Sequence, residues 1–286
     1  MNLKVGIIGG SGLYDMEALE NVQEVAVPTP FGDPSDKLIT GVLKGVDVVF
    51  LPRHGRGHRF TPTEVPYRAN VWAMKKLGVT NIISVSACGS LKEELEPGRI
   101  VVIDQLLDRT RHRKDKFFEG GIVAHVPFGD PICMPLAKLL YDAGVKLDLK
   151  MAFKGAYLCM EGPQFSTRAE SFLYRSWGMD VIGMTNYTEA RLAREAEICY
   201  ATLALVTDYD CWKEHEEGVD ALSVLEVMAA NVKNAKAILL EAIDKIPAEP
   251  VPGYSDVLSF SIVTNAKVVP DKVKQDLEPI IGKYMK

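Results

Sequence analysis

The sequence is poor in cysteine and lacks long apolar runs. Its five cysteines are Cys88, Cys133, Cys159, Cys199 and Cys211, and no two of them stand at the spacing of a zinc or redox motif. We therefore expect reduced thiols in an intracellular protein. No apolar run approaches the ~20 residues of a membrane span, and the N-terminus has no basic segment followed by an apolar stretch. We expect a cytoplasmic protein without membrane contact.

An excess of basic residues is also missing. The chain has 33 lysines and arginines against 38 aspartates and glutamates, which gives a formal net charge of -5. Nucleic-acid binders need a basic face for phosphate contacts, so this balance argues against nucleic acid as a partner. The one basic cluster, residues 109–114, is followed by Asp115 and Glu119, and we expect it in a solvated loop.

Two common phosphate-binding motifs are absent as well. The first apolar run breaks into a glycine turn, but Gly10 and Gly12 are followed by Asp15 at the third glycine position of a dinucleotide motif. The sequence also has no Walker A lysine. An oxidoreductase is therefore disfavoured, and the remaining interpretation is a free anion held among several strand ends.

Strand-like and helix-like segments alternate along the chain. Short apolar runs that end in turns predict strands at residues 3–8, 46–51, 81–85, 180–184 and 203–207. Apolar periodicity predicts helices at residues 67–77, after the capping box of Thr167 and Glu170, and at residues 222–243. This alternation predicts an α/β fold with a largely parallel sheet between helices. Residues 24–27 and 37–43 resemble a hairpin, so we expect a mixed sheet.

The domain organisation follows from length and composition. A chain of 286 residues can form one large domain or two small ones. No shift in composition marks a boundary before Ile246, so we expect a single domain over residues 1–286. The prolines and glycine at residues 247–253 suggest an extended connection. We expect the tail, residues 247–286, to end in a short helix near residues 272–284 and to pack on the domain or on a neighbouring subunit.

Polar groups gather at the ends of the predicted strands, where ligands bind in sheets of this kind. Three strand ends carry a hydroxyl beside exposed backbone, at Ser11, Ser86 and Thr185. A fourth carries Arg53 and His54. Hydroxyls, backbone N–H groups, a guanidinium and an imidazole are the donors that hold a phosphate-like anion.

The fifth strand end carries two acids, Asp208 and Asp210. In an extended backbone their side chains would share one face. A lone Asp-x-Asp more often caps a turn with one acid and exposes the other to water. The sharper hypothesis is a pair that accepts from an amino group and, with one retained proton, donates to a ring nitrogen, as a 6-aminopurine requires. Burial and mutual repulsion both favour retention of that proton.

Several motifs together carry a resemblance to a known family. They are GIIGGSGLYD from Gly6, RHGR from Arg53, SACGSL from Ser86, EGPQFSTRAE from Glu161, GMT from Gly183 and TDYDCWKEHEE from Thr207. In these motifs, and nearly throughout the chain up to about Leu240, the sequence closely resembles the methylthioadenosine phosphorylases of the purine nucleoside phosphorylase family.

The resemblance implies a single-domain, three-layer phosphorylase-type fold with a mixed, strongly twisted central sheet flanked by helices. It implies that phosphate attacks the anomeric carbon of methylthioadenosine and releases adenine and methylthioribose 1-phosphate, a step of methionine and purine salvage. Inorganic phosphate is then a co-substrate, and we expect no cofactor and no metal. The family also implies a homo-oligomer, either a trimer or a dimer of trimers.

The resemblance further implies roles for individual residues. Phosphate would be held by Ser11, Arg53, His54, Ser86, Thr185 and the backbone of Ala87. Met184 would contact the ribose, Asp208 and Asp210 the adenine, and Phe165 would line the nucleoside site, although an aromatic residue at a helix entrance is as often part of the core. Ser166 and Ala221 match positions associated with substrate preference, Val224 and Leu225 are candidates for the methylthio pocket, and His125 matches a residue contributed by a neighbouring subunit. We predict catalytic roles for Arg53, His54, Asp208 and Asp210, with Asp208 as the partner of purine N7.

Small departures and several rivals remain at this point. Ser11 and Ser86 stand where threonine is common, and Thr188 replaces an expected proline before Glu189, where it can cap the same helix. The rivals are a phosphorylase of adenosine, methylthioinosine or another 6-oxopurine nucleoside, a phosphate-independent nucleosidase, and a nucleotide-binding module without catalysis. Two acceptors suit a 6-oxopurine poorly, and a hydrolase has no use for the anion-binding set.

Overall fold

The computed structural model of the protein describes residues 3–10, 13, 17–213 and 221–285, and for residues 221–226 it describes the backbone alone. The strands are β1 (Lys4–Gly9), β2 (Leu19–Val25), β3 (Leu38–Leu43), β4 (Val46–Pro52), β5 (Asn81–Ser90), β6 (Ile100–Val102), β7 (Gln105–Asp108), β8 (Met151–Phe153), β9 (Ala156–Cys159), β10 (Val181–Gly183) and β11 (Cys199–Asp208). The helices are α1 (Tyr67–Lys76), α2 (Met134–Lys146), α3 (Arg168–Ser176), α4 (Asn186–Glu195), α5 (Ala221–Ala242), α6 (Asp271–Asp276) and α7 (Glu278–Ile281).

Local sequence signals set several of these boundaries. Helix α1 ends before Gly78, whose φ of 84° lies in the left-handed region that glycine adopts without strain. Helix α3 begins with the predicted capping box, in which the Thr167 side chain accepts from the Glu170 N–H and the Glu170 carboxylate accepts from the Thr167 N–H. The predicted hairpin also forms, since β2 and β3 pair antiparallel.

One mixed sheet contains the eleven strands of the described residues. The long strands β5 and β11 pair in parallel along nearly their whole length, from Asn81 opposite Cys199 to Gly89 opposite Asp208. On its other edge β5 pairs with β1 first and then, near Ser90, with β10. The carboxyl ends of β5 and β11 therefore meet, whereas β10 runs antiparallel to β5 and its carboxyl end lies beside the interior of β5. This mixed α/β fold with flanking helices confirms the predicted fold class.

The tail packs on the same core as the sheet. Val257, Leu258, Ile280 and Ile281 are buried in the main hydrophobic cluster. Glu197, itself buried before β11, accepts from the Leu258 N–H at 2.9 Å and from the Tyr284 hydroxyl at 2.6 Å. The predicted single short helix is wrong in detail, because the segment contains α6, α7 and a 3-10 turn at Gly282–Tyr284.

One further expectation is wrong, and another holds except at Arg113. Cys133 and Cys199, 66 residues apart, form a disulfide between the start of α2 and the start of β11, whereas the sequence suggested five reduced thiols. The basic cluster is not uniformly solvated, because the Arg113 side chain is only 1% exposed and donates to Glu161, Tyr67 and Thr188. In both cases the partner residues are distant in sequence, so the local spacing of residues gives no sign of them. Within the described residues, no helix is long and apolar enough to cross a membrane.

Candidate active site

The acid pair lies where β11 ends against the carboxyl end of β5. Asp208 is opposite Gly89, and a Cβ placed on Gly89 would lie 2.9 Å from the Asp208 Oδ1 and 3.4 Å from the Asp210 Cβ. The absence of a side chain at Gly89 therefore leaves the space for the acids. The backbone does not stay extended through the pair, as the sequence analysis assumed, because Asp210 has a φ of 52°.

The two acids have different hydrogen-bond partners. Asp208 accepts from the Asp210 N–H at 2.8 Å and from the Thr207 hydroxyl at 2.7 Å, so it caps the turn that it begins. Asp210 Oδ2 is buried and has no hydrogen-bond partner among the described residues. Ser171 lies close by, but its hydroxyl is also without a hydrogen bond in that part of the chain. Burial raises the pKa of Asp210 above its ordinary value, and the charge of Asp208 adds to the rise.

The hydroxyl pair joins the interior of β5, which extends beyond its predicted end, to the residues that follow β10. Ser86 on β5 and Thr185 at the start of α4 are both buried, and their hydroxyl oxygens are 3.4 Å apart. Thr185 is the N-terminal capping residue of α4, yet its side chain makes no capping hydrogen bond. The first N–H groups of this ten-residue helix therefore lie next to two hydroxyls, an arrangement that suits an anion. Ala87, the next residue of β5, is half-buried beside them.

Arg53 lies against Ser84 and Val85 of β5, and nearly all of its N–H groups donate to protein acceptors. Its Nε and Nη2 donate to the Glu189 carboxylate, Nη2 also donates to Ser84 at 2.7 Å, and Nη1 donates to the Val85 carbonyl at 3.0 Å. Four of its five N–H groups are thus directed at described residues. Burial alone would lower the pKa of Arg53, but the Glu189 carboxylate outweighs burial and raises it. The guanidinium therefore has at most one N–H left for a ligand.

His54 follows Arg53 and has a defined tautomer. Its Nδ1 lies 2.9 Å from the Phe60 carbonyl, which can only accept, so Nδ1 carries the hydrogen and Nε2 is an acceptor. Burial lowers the pKa of His54 to about 4, and the charge of Arg53 contributes to this shift. The ring is therefore neutral at pH 7, and it serves a ligand as an acceptor rather than as the donor that the sequence analysis expected.

Contacts between loops link the two ends of the site. Thr185 follows Met184, whose sulfur would lie 2.5 Å from a Cβ placed on Gly162. The same turn leads to Phe165 and Ser166, and the Cys211 thiol donates to the Ser166 carbonyl at 3.3 Å. Cys211 follows Asp210 directly, so this series of contacts runs from Thr185 to the acid pair. Strand β5 completes the ring, because Ser86 lies beside Thr185 and Gly89 lies beside the acids. We call this arrangement the contact ring.

The contact ring has an open apolar side. The Phe165 side chain is 50% exposed, which decides against a place in the core. His125 lies elsewhere, in an exposed segment that donates its N–H to the Ser261 carbonyl at 2.9 Å. Ser11 lies outside the described residues, as do the side chains of Ala221, Val224 and Leu225 on α5, so the structure gives no position for these predicted site groups.

Sequence reasoning missed three contributors to the site. Glu189 neutralises Arg53, Gly89 makes room for the acids, and Tyr157 lies behind the hydroxyl pair. An acid one helical turn after Thr185 was the only local signal for Glu189. Thr188 does not cap α4 as expected, because it lies inside the helix, buried, where it accepts from Arg113 at 3.3 Å. Among the described residues, no group of three or more potential metal ligands was found.

Comparison with known proteins agrees with this architecture. The family model described as "Phosphorylase superfamily" matches residues 4–244. An S-methyl-5'-thioadenosine phosphorylase of Geobacter sulfurreducens is 53% identical over 286 residues, covering 100% of both chains.

Solved structures give the same picture. A crystal structure of methylthioadenosine phosphorylase from an Antarctic soil metagenomic library superposes with a TM-score of 0.93 at 47% identity, covering 98% of this chain and 99% of that one. Methylthioadenosine phosphorylase from Schistosoma mansoni in complex with adenine superposes with a TM-score of 0.83 at 38% identity, covering 98% of each chain. These matches confirm the resemblance inferred from the motifs, and the chain belongs to the phosphorylase superfamily.

Proposed function

We propose that the protein catalyses phosphorolysis of S-methyl-5'-thioadenosine to adenine and S-methyl-5-thio-α-D-ribose 1-phosphate. The observation that carries this proposal is the contact ring, which joins a hydroxyl pair at a helix N-terminus to a half-buried acid pair. Ser86 and Gly89 lie three residues apart on β5, about 10 Å along the strand, a span that a nucleoside with phosphate can cover. The full-length similarity to proteins of this name supports the same substrate.

The hydroxyl end is the proposed phosphate site. The Ser86 and Thr185 hydroxyls and the Ala87 N–H donate to phosphate oxygens, and Ser11 joins them by similarity. The neutral His54 accepts the hydrogen of hydrogen phosphate at Nε2, which orients the nucleophile. Arg53 supplies one further N–H at most, so its main part is to hold β5 in place through Val85 and Ser84.

The acid end is the proposed adenine site. A carboxylate accepts from the 6-amino group, and the proton kept by the pair goes to N7 of the leaving base. The raised pKa of Asp210 favours this residue as the proton carrier of the free enzyme, whereas the sequence favoured Asp208 as the N7 partner. Which of the two acids delivers the proton to N7 stays a prediction. Phe165 and Met184 contact the nucleoside, and Ser166 lies between them and Asp210.

The reaction proceeds by displacement at the anomeric carbon. A phosphate oxygen forms the new bond to C1′ while the bond to N9 breaks, and the electron pair of that bond moves into the purine. The transition state resembles an oxocarbenium ion, so the phosphate dianion stabilises the sugar and the proton at N7 stabilises the base. Inorganic phosphate is the co-substrate, and the proposed chemistry requires no cofactor and no metal.

We also propose a homo-oligomer, either a trimer or a dimer of trimers. Two exposed apolar patches support it. One lies on the α3 side and contains Phe165, Phe172, Leu173 and Trp177. The other surrounds the segment of His125 and contains Val123, Phe260 and Val263. Two different patches on one chain suit a head-to-tail ring, in which the patch near His125 covers the nucleoside side of the next subunit.

The remaining assignments rest on the sequence. Residues 1–286 form one nucleoside phosphorylase domain in this proposal, and the methylthio group occupies an apolar pocket to which α5 contributes through Val224 and Leu225. Ala221 and Ser166 tune substrate preference. A cytoplasmic location and a role in methionine and purine salvage stay predictions.

The decisive experiment follows adenine release from methylthioadenosine with and without inorganic phosphate. We expect release only with phosphate, together with formation of a sugar phosphate. Release without phosphate would identify a nucleosidase, and binding without release would identify a non-catalytic module. The same assay with adenosine, methylthioinosine and inosine ranks the substrates, and faster turnover of a 6-oxopurine would contradict the proposed adenine site.

A further inference from the structure

The buried hydroxyl of Tyr157, next to the phosphate end, takes no part in the proposed reaction. Tyr157 lies in β9, opposite Val181 of β10, and its side chain is fully buried. Its hydroxyl has no hydrogen-bond partner among the described residues. A buried hydroxyl without a partner is costly, and phenylalanine would fill the same volume without that cost. The hydroxyl therefore calls for an explanation.

The surroundings of Tyr157 point toward the hydroxyl pair. A Cβ placed on Gly183 would overlap the Tyr157 hydroxyl, so the ring occupies the place of a side chain on β10, two residues before Thr185. The Ser86 hydroxyl and the Thr185 backbone lie within hydrogen-bonding reach of the Tyr157 hydroxyl, but neither is aligned well enough to satisfy it. Burial raises the pKa of Tyr157 well above its ordinary value, so the phenol keeps its proton.

Ser86 also lacks a strong partner. Its hydroxyl donates weakly to the neighbouring Ala87 carbonyl at 3.3 Å and lies 3.4 Å from the Thr185 hydroxyl. To bind phosphate, it must turn its hydrogen from that carbonyl toward an anion oxygen. A donor behind Ser86 would occupy its lone pair, favour this orientation and strengthen its own donation.

We propose that Tyr157 is a positioning residue of the phosphate site, which donates to the Ser86 hydroxyl when phosphate binds and so directs the Ser86 hydrogen at the anion. The inference rests on the proposed function, since it needs a phosphate beside Ser86. Tyr157 acts through Ser86 rather than on the ligand itself, because its hydroxyl lies against Gly183 of β10 and beside Ser86. Its effect therefore falls on phosphate rather than on the nucleoside.

The test is Tyr157→Phe, which removes one oxygen atom. We expect the KM for phosphate to rise about threefold to tenfold, the loss of one neutral hydrogen bond. The KM for methylthioadenosine and kcat at saturating phosphate should stay within about twofold, and thermal stability should not fall, since an unpaired buried hydroxyl is removed. The matched control is Tyr254→Phe, whose hydroxyl donates to the Ile132 carbonyl at 2.8 Å. It should lose stability without any change in the KM for phosphate.

A double-mutant cycle with Ser86→Ala tests the route. If Tyr157 acts through Ser86, the double variant has the same KM for phosphate as Ser86→Ala alone. Additive effects would overturn this route. An unchanged KM for phosphate in Tyr157→Phe, or a rise in both KM values with a lower melting temperature, would overturn the inference while phosphate-dependent release by the wild type still upholds the proposed function. Phosphate-independent release by the wild type would overturn both.

Discussion

The phosphate end and the adenine end of the site satisfy their buried polar groups in opposite ways. We call the buried group of Arg53, Glu189, Ser84 and Tyr200 the floor of the phosphate end. In the floor, the Glu189 carboxylate pairs with Arg53 and also accepts from Ser84 and from the Tyr200 hydroxyl at 3.0 Å. At the adenine end, Asp210 Oδ2 is buried and has no hydrogen-bond partner among the described residues. The protein completes one end by itself and leaves the other to be completed by the base.

This difference has an electrostatic consequence. Arg53 and Glu189 neutralise each other, so the attraction for phosphate comes from hydroxyls and from the N-terminus of α4 rather than from a free cation. At the adenine end, burial and the charge of Asp208 raise the pKa of Asp210. The Arg53–Glu189 pair, whose hydrogen bonds are almost all made within the protein, fixes the geometry of the phosphate end. Asp210 has an oxygen without a hydrogen-bond partner among the described residues, so it can provide a proton or an acceptor for the base.

The largest expected effect comes from the acid pair. Asparagine in place of the acid that delivers the proton should lower kcat on methylthioadenosine by about 10²–10⁴-fold, because an amide can donate to N7 but cannot protonate it. Asparagine in place of the other acid should shift preference toward methylthioinosine, because an amide can donate to a 6-oxo group. The raised pKa predicts that Asp210→Asn is the first case and Asp208→Asn the second.

The measurement is kcat and KM of both variants on both nucleosides. Thermal melts serve as a control for folding, since asparagine has nearly the size and shape of aspartate. The reversed pattern would assign the proton to Asp208, as the sequence suggested. Wild-type rates in both variants would remove the pair from the mechanism.

The next effect concerns the saturated floor. Glu189→Gln leaves the Arg53 charge buried without its counter-charge, so it should lower the free energy of unfolding by about 3 kcal/mol. Denaturant titration measures this loss, and Asp142→Asn, which breaks the exposed pair with Lys138, should cost less than about 1 kcal/mol. Enzyme assays should show a raised KM for phosphate with little change for the nucleoside. A Glu189→Gln variant as stable as the wild type would contradict the role given to this pair.

A smaller effect is expected from Gly89→Ala. The added Cβ would lie 2.9 Å from Asp208 Oδ1 and 3.2 Å from Ile182 Cγ2, so it should displace the acid and raise the KM for methylthioadenosine about tenfold. Gly129→Ala is the matched control, because a Cβ there meets no atom of the described residues within 4 Å. The comparison between the two ends would fail if Gly89→Ala raised the KM for phosphate instead.

Local patterns predicted the parts of the fold that local physics decides. The capping box of α3, the glycine stop of α1 and the buried strand before Asp208 all form as predicted, since each depends on neighbours in sequence. Partners distant in sequence decided the rest. Nothing near Cys133 indicates Cys199, and nothing near Arg113 indicates that Tyr67 and Thr188 will bury it.

The same division holds for the site. The expected ends of the parallel strands located the acids at the end of β11. Ser86 lies inside β5, which runs on to Ser90, and the antiparallel strand β10 brings Thr185 beside it. The sequence did not reveal that the N–H groups of Arg53 donate to Glu189, Ser84 and Val85, since this depends on how α4 packs on β5. The turn at Asp210 was the commoner outcome for Asp-x-Asp, and in the structure this turn brings the two half-buried acids together.

The smallest effect tests whether the ring of His54 is neutral. Its pKa of about 4 lies below the ordinary value of 6.5, so the folded state disfavours a proton that the unfolded chain accepts. The stability contributed by the neutral ring is complete above pH 6.5 and is lost as the pH falls toward 4. Between pH 7.5 and 5.5 the wild type should therefore lose about 1 kcal/mol more than His54→Asn, measured by denaturant titration. Equal losses in the two proteins would mean that His54 titrates normally, and the phosphate end would then carry a cation near neutral pH, which would reverse the contrast between the two ends.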